Sequence, residues 1–332
     1  MVCLLGCGSQ GRKKIMGLMD KIRQAEDVLK LAAEMSELYY HKPLIINYSG
    51  GKDSDVMLDI ALMCLKPSQI EVINSHTTVD APETVYYIRD KFKKLNEMGI
   101  KTEIKMPRYK GEPTSMWKLI VEKEMIPTSR MRYCCSVLKE SSTPHRLSCV
   151  GVREDESKKR EGRDTFSIKG QTYKDAKYAS TEHIKEQFES SKKVTAELGA
   201  DLTEPNVYDC KFIEEAKKNK ELIANPIYYF TEQDIWNYIH FKGLKVNPLY
   251  ARGYKRVGCI GCPLAGAKTM KKEFAEYPKY RENYVKAFDR MLERRRQRGK
   301  SLKKAENGED LMRIWLREDP KQVRIEDILK GE

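Results

Sequence analysis

Apolar residues recur along this chain with two alternating patterns. Over residues 17–40, Ile22, Ala25, Val28, Leu29, Ala32 and Ala33 fall three or four apart or side by side, the spacing of one helical face. Residues 43–48 follow as a short, nearly continuous apolar run, which reads as a strand buried on both faces. The alternation then repeats: helix 56–65, strand 71–75, helix 81–98, strand 101–106, helix 115–124, strand 146–152. Strands alternating with helices at this spacing predict an α/β fold, a Rossmann-like parallel sheet with helices on both faces.

From about 155 to 221 the pattern breaks. That stretch is polar, rich in Lys, Glu, Ser and Thr, and reads as a partly helical insertion. Residues 222–229 return to apolar character. Thr231, with Asp234 three positions on, carries the signature of a capped helix start. Residues 268–304 read as a long helix interrupted near Pro278 and stopped by Gly299. The expected organisation is a helical segment 1–42, a domain 43–265, and a basic helical extension 266–332.

Composition narrows the class. The 332 residues include 62 Lys+Arg and 49 Asp+Glu, a net charge of +13. No apolar run approaches the ~20 residues of a membrane span, and the apolar stretch near Met1 is too short for a secretory signal. A cytoplasmic protein is expected. Residues 268–304 hold fourteen Lys/Arg against five Asp/Glu, most of the excess charge. They suit a nucleic-acid partner or, more plainly, a solvated helix. The cysteine count is nine, odd for a disulfide framework and more in keeping with metal ligands or reactive thiols.

The first strand runs into Ser49-Gly50-Gly51-Lys52-Asp53-Ser54, which opens a helix. Two glycines let the backbone turn tightly and present N–H groups, and the helix N-terminus adds partial positive charge. Ser49 and Ser54 bring hydroxyls and Lys52 a cation. The spacing is not that of a Walker A loop, but the combination is that of a phosphate cradle.

This loop resembles the pyrophosphate loop (PP-loop) of the adenine-nucleotide α-hydrolase superfamily. Three later segments resemble phosphoadenylylsulfate (PAPS) reductases: Val79-Asp80-Ala81-Pro82-Glu83-Thr84, the Gly151-Val152-Arg153…Glu156-Ser157…Arg160 stretch, and Asn225-Pro226-Ile227 with Thr231 to Trp236. Asn247-Pro248-Leu249-Tyr250 leads into a cysteine pair as in that family. The resemblance implies that Ser49, Gly50, Gly51, Asp53 and Ser54 hold the phosphates of ATP or another adenine nucleotide. It implies that Arg153 and Arg160 contact phosphate or sulfate, for which a planar guanidinium is suited. Asp80 is a further nucleotide-site candidate, Asp53 and Asp80 are candidate Mg²⁺ ligands, and Lys52 and Asp53 are the candidate catalytic pair.

The cysteines give a second constellation. Cys259-x-x-Cys262 alone suits zinc, an iron–sulfur cluster or dithiol chemistry. Paired with the adjacent Cys134 and Cys135, it resembles adenylylsulfate (APS) reductases, and the resemblance implies a [4Fe–4S] cluster on these four thiols. Cys64 and Cys149 lie on apolar elements and read as core.

The resemblance also implies a mobile tail carrying a nucleophilic cysteine, whereas no cysteine follows Cys262. That departure favours the branch of the superfamily that spends ATP: adenylation with pyrophosphate release, then sulfur transfer, with nucleic acid as an acceptor. The competing expectations are a sulfonucleotide reductase served by a thioredoxin-like reductant, and a non-catalytic nucleotide- or redox-sensing nucleic-acid-binding protein.

Overall fold

The computed structural model describes residues 16–140, 145–158, 160–169, 178–198, 218, 220–300 and 305–318. Cys3, Cys7, Cys210, much of the polar insertion, and the ends of the basic segment (Lys303, Lys304) and of the chain lie outside them.

Helix α1 (Leu18–Tyr40) forms where the apolar spacing places it and ends at His41, in the left-handed region just before Pro43. Strand β1 (Leu44–Asn47) is followed by α2 (Lys52–Cys64), β2 (Ile70–Ser75), α3 (Pro82–Glu97) and β3 (Lys101–Lys105). A small hairpin, β4 (Arg108–Tyr109) and β5 (Glu112–Pro113), leads to α4 (Met116–Lys123) and α5 (Tyr133–Leu138). Strand β6 (Leu147–Cys149) returns the chain to the sheet. The insertion supplies β7 (Phe166–Ile168), β8 (Tyr178–Ala179) and α6 (Thr181–Leu198), before β9 (Leu222–Ala224) and α7 (Glu232–Lys242). Helices α8 (Ala267–Glu276), α9 (Pro278–Gln297) and α10 (Gly308–Trp315) complete the described chain.

The sheet order is β3-β2-β1-β6-β9-β7-β8. Strands β1, β2, β3, β6 and β9 pair in parallel, as the pattern predicts. The insertion is helical in part, through α6, and adds strands the pattern does not predict. Its apolar segment Phe166–Ile168 is buried and adds β7 antiparallel to β9, with β8 beyond it. The sheet is therefore mostly, not wholly, parallel. The local signals hold. Thr231 and Asp234 cap α7 reciprocally, Pro278 occupies the first turn of α9, and Gly299 lies just past its end at φ +71°.

Two hydrophobic cores result. One lies between the sheet and α1, α2, α3, α6 and α7, with Val28, Leu29, Leu44, Ile46, Val56, Phe188 and Tyr238 fully buried. Cys149 is part of it and Cys64 packs at its edge. The second is helical and built from α4, α8, α9 and α10 around Tyr284, Phe288, Met312 and Trp315. It draws residues from both sides of position 265, so the basic extension packs into the same body as the cysteine segments. Each large apolar side chain so buried contributes about 1.5–3 kcal/mol before entropy is counted. No described helix is long and apolar enough to cross a membrane.

Candidate functional site

The strand order reverses at β1: its chain successor β2 lies on one side and β6 on the other. In open α/β sheets, ligands bind outside the carboxyl ends of the strands at such a crevice. Ser49–Ser54 leave β1 there, Asp80 follows β2, Arg153 follows β6 and Asn225 follows β9. The topology thus brings four separate motifs to one edge.

The β1 loop is held from every side. Gly50 has φ +73°, and a Cβ on it would lie 2.9 Å from Ile88 Cγ1, so no larger residue fits. The Ser54 hydroxyl donates to the Gly51 carbonyl at 2.8 Å and accepts from the Ser49 amide at 3.3 Å. Asn247 is wholly buried. Its amide donates to the Gly50 carbonyl at 3.2 Å and to Thr84 Oγ1 at 3.0 Å, while its oxygen accepts the Leu249 amide. The Tyr250 hydroxyl accepts the Lys52 amide at 2.9 Å. Behind the loop, buried Asp55 accepts from the Tyr48 and Tyr87 hydroxyls at 2.7 and 2.9 Å, tying the start of α2 to α3. Burial raises the Asp55 pKa against the pull of Lys91 and the two tyrosines. Asn247 and Tyr250 had been read only as part of a motif, with no role. Nothing in the local pattern says that they reach back nearly two hundred positions to clamp the loop.

Lys52 and Asp53 begin a buried chain of charges. Lys52 is 5% exposed, and its Nζ donates to Asp53 Oδ2 at 3.1 Å. Asp53 Oδ1 accepts from Arg153 Nε at 2.5 Å. Arg153, 3% exposed, also pairs with Asp155, whose second oxygen accepts the Glu232 amide at the start of α7. Arg153 therefore ties the start of α2 to the segment after β6 and, through Asp155, to the start of α7. Arg160 pairs with Glu156. Burial first, and then the like charges of Arg163, Arg256 and Arg153, push its pKa down. A guanidinium cluster that repels itself is lowered in energy when an anion enters. Arg163 and Arg256 are additions that motif reading had passed over.

Asp80 takes a different place from its sequence neighbours. It accepts from the Thr77 amide at 2.8 Å and pairs with His76 at 3.4 Å. Its backbone bridges to Cys259. Burial would raise its pKa, but His76 and then Lys139 hold it below the ordinary value. Asp80 lies on the cysteine side of the edge.

Cys259 lies there through its backbone bridge to Asp80, and Cys134 and Cys259 both pack at the edge of the second core. Cys134 and Cys135 open α5, and Cys134 is within electrostatic reach of Cys135, Cys259 and Cys262. The hydrogen bond from Cys134, and then Arg132, bring the Cys135 pKa down to about 5 against burial. The same hydrogen bond, followed by burial, pushes Cys134 up. Burial raises Cys259, opposed by Lys139. Lys139 faces Cys259, Asp80, Cys135 and Cys262, and those charges hold its own pKa high, Cys259 first. Arg132 and Lys139 are counter-charges the cysteine spacing did not announce. Among the described residues, no three His, Cys, Asp or Glu side chains close on a single metal ion. A four-iron cluster takes one thiolate per iron and spreads them further apart than one ion does.

Part of the basic segment's charge is used inside the fold. Arg294 and Arg298 pair with Glu124, at 3.2 and 2.6 Å. Arg295, 7% exposed, donates to the Glu124 carbonyl. These arginines clamp the left-handed end of α4. The exposed stripe of α9 alternates in sign: Lys279, Glu282, Lys286, Asp289, Arg290, Glu293, Arg296. That is the pattern of a solvated helix face.

Comparison with known proteins places this geometry. Residues 43–265 match the family described as the phosphoadenosine phosphosulfate reductase domain. The uncharacterized protein MJ0066 of Methanocaldococcus jannaschii is 25% identical over 252 residues, which span 73% of this chain and 41% of that protein. The chain thus covers under half of that relative's length. An adenosine 5'-phosphosulfate reductase of Anoxybacillus flavithermus is 36% identical over 58 residues, 18% of this chain and 25% of that enzyme. Among solved structures, the U34-tRNA thiolase NcsA of Methanococcus maripaludis with its [4Fe-4S] cluster aligns at TM-score 0.36 and 14% identity, covering 74% of this chain and 75% of the other.

Proposed function

The chain belongs to the phosphoadenosine phosphosulfate reductase domain family, and from that premise we propose an adenine-nucleotide-dependent sulfur-transfer enzyme that spends ATP. One observation supports the reading: the Ser49–Ser54 loop and Asp80, whose backbone bridges to Cys259, leave the same edge of the sheet.

In this reading the loop amides, Ser49, Ser54 and the α2 N-terminus receive the pyrophosphate portion of ATP. Lys52 exchanges Asp53 for phosphate, and Arg153 and Arg160 supply further positive charge. An acceptor oxygen attacks the α-phosphorus. The bond from the α-phosphorus to the bridging oxygen breaks, pyrophosphate leaves with that oxygen, and the acceptor is adenylated. A sulfur nucleophile then displaces AMP and forms the carbon–sulfur bond. Cations already fixed around the loop stabilise the leaving pyrophosphate without reorganisation. Asp53, once Lys52 turns to phosphate, and Asp80, which stands with His76, are the candidate Mg²⁺ ligands.

Cys134, Cys135, Cys259 and Cys262 would hold a [4Fe–4S] cluster, with Arg132 and Lys139 offsetting thiolate charge. When bound, it supplies sulfur-handling and electron-transfer chemistry beside the nucleotide. Nucleic acid is the acceptor to test first, because Lys255, Arg256 and Lys268 are exposed on either side of the Cys259–Cys262 loop.

The match to adenosine 5'-phosphosulfate reductases favours a second reading, release of sulfite from a sulfonucleotide with a thioredoxin-like reductant. It requires a further thiol nucleophile, supplied from elsewhere in this chain or by a partner. Anaerobic protein given labelled ATP, Mg²⁺, sulfide and tRNA or duplex DNA should release pyrophosphate and AMP in equal amounts. Sulfite from PAPS or APS, with no pyrophosphate from ATP, would replace the first reading with the second.

A further inference from the structure

The Cys259–Cys262 loop is gripped by a residue outside the segment that defines the family. Glu273, on α8, is 8% exposed, and its Oε2 accepts the Gly261 amide at 2.7 Å. Gly261 lies between the two cysteines at φ +72°. A Cβ there would fall 2.6 Å from Phe274 Cζ and 3.1 Å from Tyr284 Cε2. The loop is thus pressed against an aromatic wall from α8 and α9. The Tyr284 hydroxyl donates to the Ile260 carbonyl at 3.1 Å. On the opposite side, the Ile260 amide donates to the Val79 carbonyl at 2.8 Å.

A buried carboxyl group is costly unless it answers a specific donor. Here the donor is a backbone amide that the wall would otherwise leave unpaired. The bland alternative is that Glu273 is helix packing. Packing would be served as well by Leu or Met, and it does not account for a carboxyl oxygen aimed at the amide midway between two thiols.

We infer that Glu273 is a positioning residue of the four-cysteine centre, fixing the turn that presents Cys259 and Cys262, so that α8 is part of the centre's framework. The inference rests on the cluster reading above. Groups that orient ligands from behind typically change metal affinity roughly 10- to 100-fold when removed.

The test uses the full chain, reconstituted anaerobically with iron and sulfide, and follows iron release to a chelator. E273Q keeps an acceptor oxygen and should release iron as wild type does. E273A removes it and should release iron at least about tenfold faster, with ATP binding unchanged. E273L fills the space without an acceptor and should follow E273A. If E273L does not fold, E273A against E273Q still decides. E273A matching wild type would overturn the inference, and so would E273Q failing as badly as E273A. Wild-type chain that takes up no iron would sink the cluster reading itself, a result distinct from either.

Discussion

The nucleotide loop and the cysteine centre share one edge of the sheet but are built in opposite ways. The loop is positioned by backbone. Parallel strands deliver Ser49–Ser54, Arg153 and Asn225 to their places, and side chains such as Asn247 and Tyr250 tighten a geometry the sheet already sets. The cysteine centre is positioned by side-chain packing. Cys134 and Cys135 ride on a short helix and Cys259 and Cys262 on a loop; Cys134 and Cys259 pack against the second hydrophobic core, and Glu273, Phe274 and Tyr284 hold the loop. Each region should therefore fail on its own, and for its own reasons.

The sharpest way to break this separation is to disable one region and measure the other. Lys52→Ala removes the buried cation of the loop and should lower the rate of pyrophosphate release by on the order of 10²–10³, with bound iron unchanged. Cys135→Ser should abolish iron binding and leave ATP affinity within about twofold. Iron lost with Lys52, or ATP binding lost with Cys135, would mean that the two regions form one cooperative unit.

Next in size is the loop's clamp. Asn247→Ala leaves the Gly50 carbonyl and the Leu249 amide without their partner in a buried setting. It should cost about 2–3 kcal/mol, read from denaturant midpoints, and weaken ATP binding more than iron retention. Gly50→Ala should cost about 1–3 kcal/mol, because alanine is strained at φ +73° and meets Ile88. Tyr284→Phe loses one hydrogen bond to Ile260 and should cost about 1 kcal/mol, with faster iron release and unchanged nucleotide binding.

The smallest effect concerns the sheet region alone. Burial would raise the Asp234 carboxyl, but Lys21 of α1 and Thr231 hold its pKa below the ordinary value. A lowered folded-state pKa contributes stability that is present above the unfolded value of about 3.9 and is lost as pH falls below it. Asp234→Asn should flatten that part of the acid limb of the stability curve. An unchanged acid limb would show that the Lys21 pair does not link α1 to α7.

These two styles of construction also explain what could be read in the sequence. The β1–α2 loop was legible because strand, glycines and helix start are contiguous, and the parallel order followed from alternating elements. Thr231 and Asp234, Pro278 and Gly299 were legible for the same reason: caps and breaks are local. Strands β7 and β8 were not, because a few apolar residues in a polar insertion become strands only when β9 offers an edge. Arg153 was legible as an arginine leaving the end of a strand, but its hold on Asp53 and Asp155 was not. The arginine run 294–298 carries a charge count that sequence can register, whereas its use as a clamp on Glu124 depends on α4, some 170 positions earlier. Lys139, Asn247 and Glu273 have in common that their partners are distant in the chain.

The central claim is that four thiols from two distant segments form one iron–sulfur centre beside a nucleotide loop. The most direct measurement is the iron and acid-labile sulfide content of anaerobically purified protein, with its visible absorbance spectrum, for wild type and for Cys134→Ser, Cys135→Ser, Cys259→Ser and Cys262→Ser. The account predicts close to four iron and four sulfide per chain, a broad charge-transfer band, and loss of both in the Cys135 and Cys259 variants. Zinc in place of iron, no bound metal, or iron that survives every substitution would contradict it.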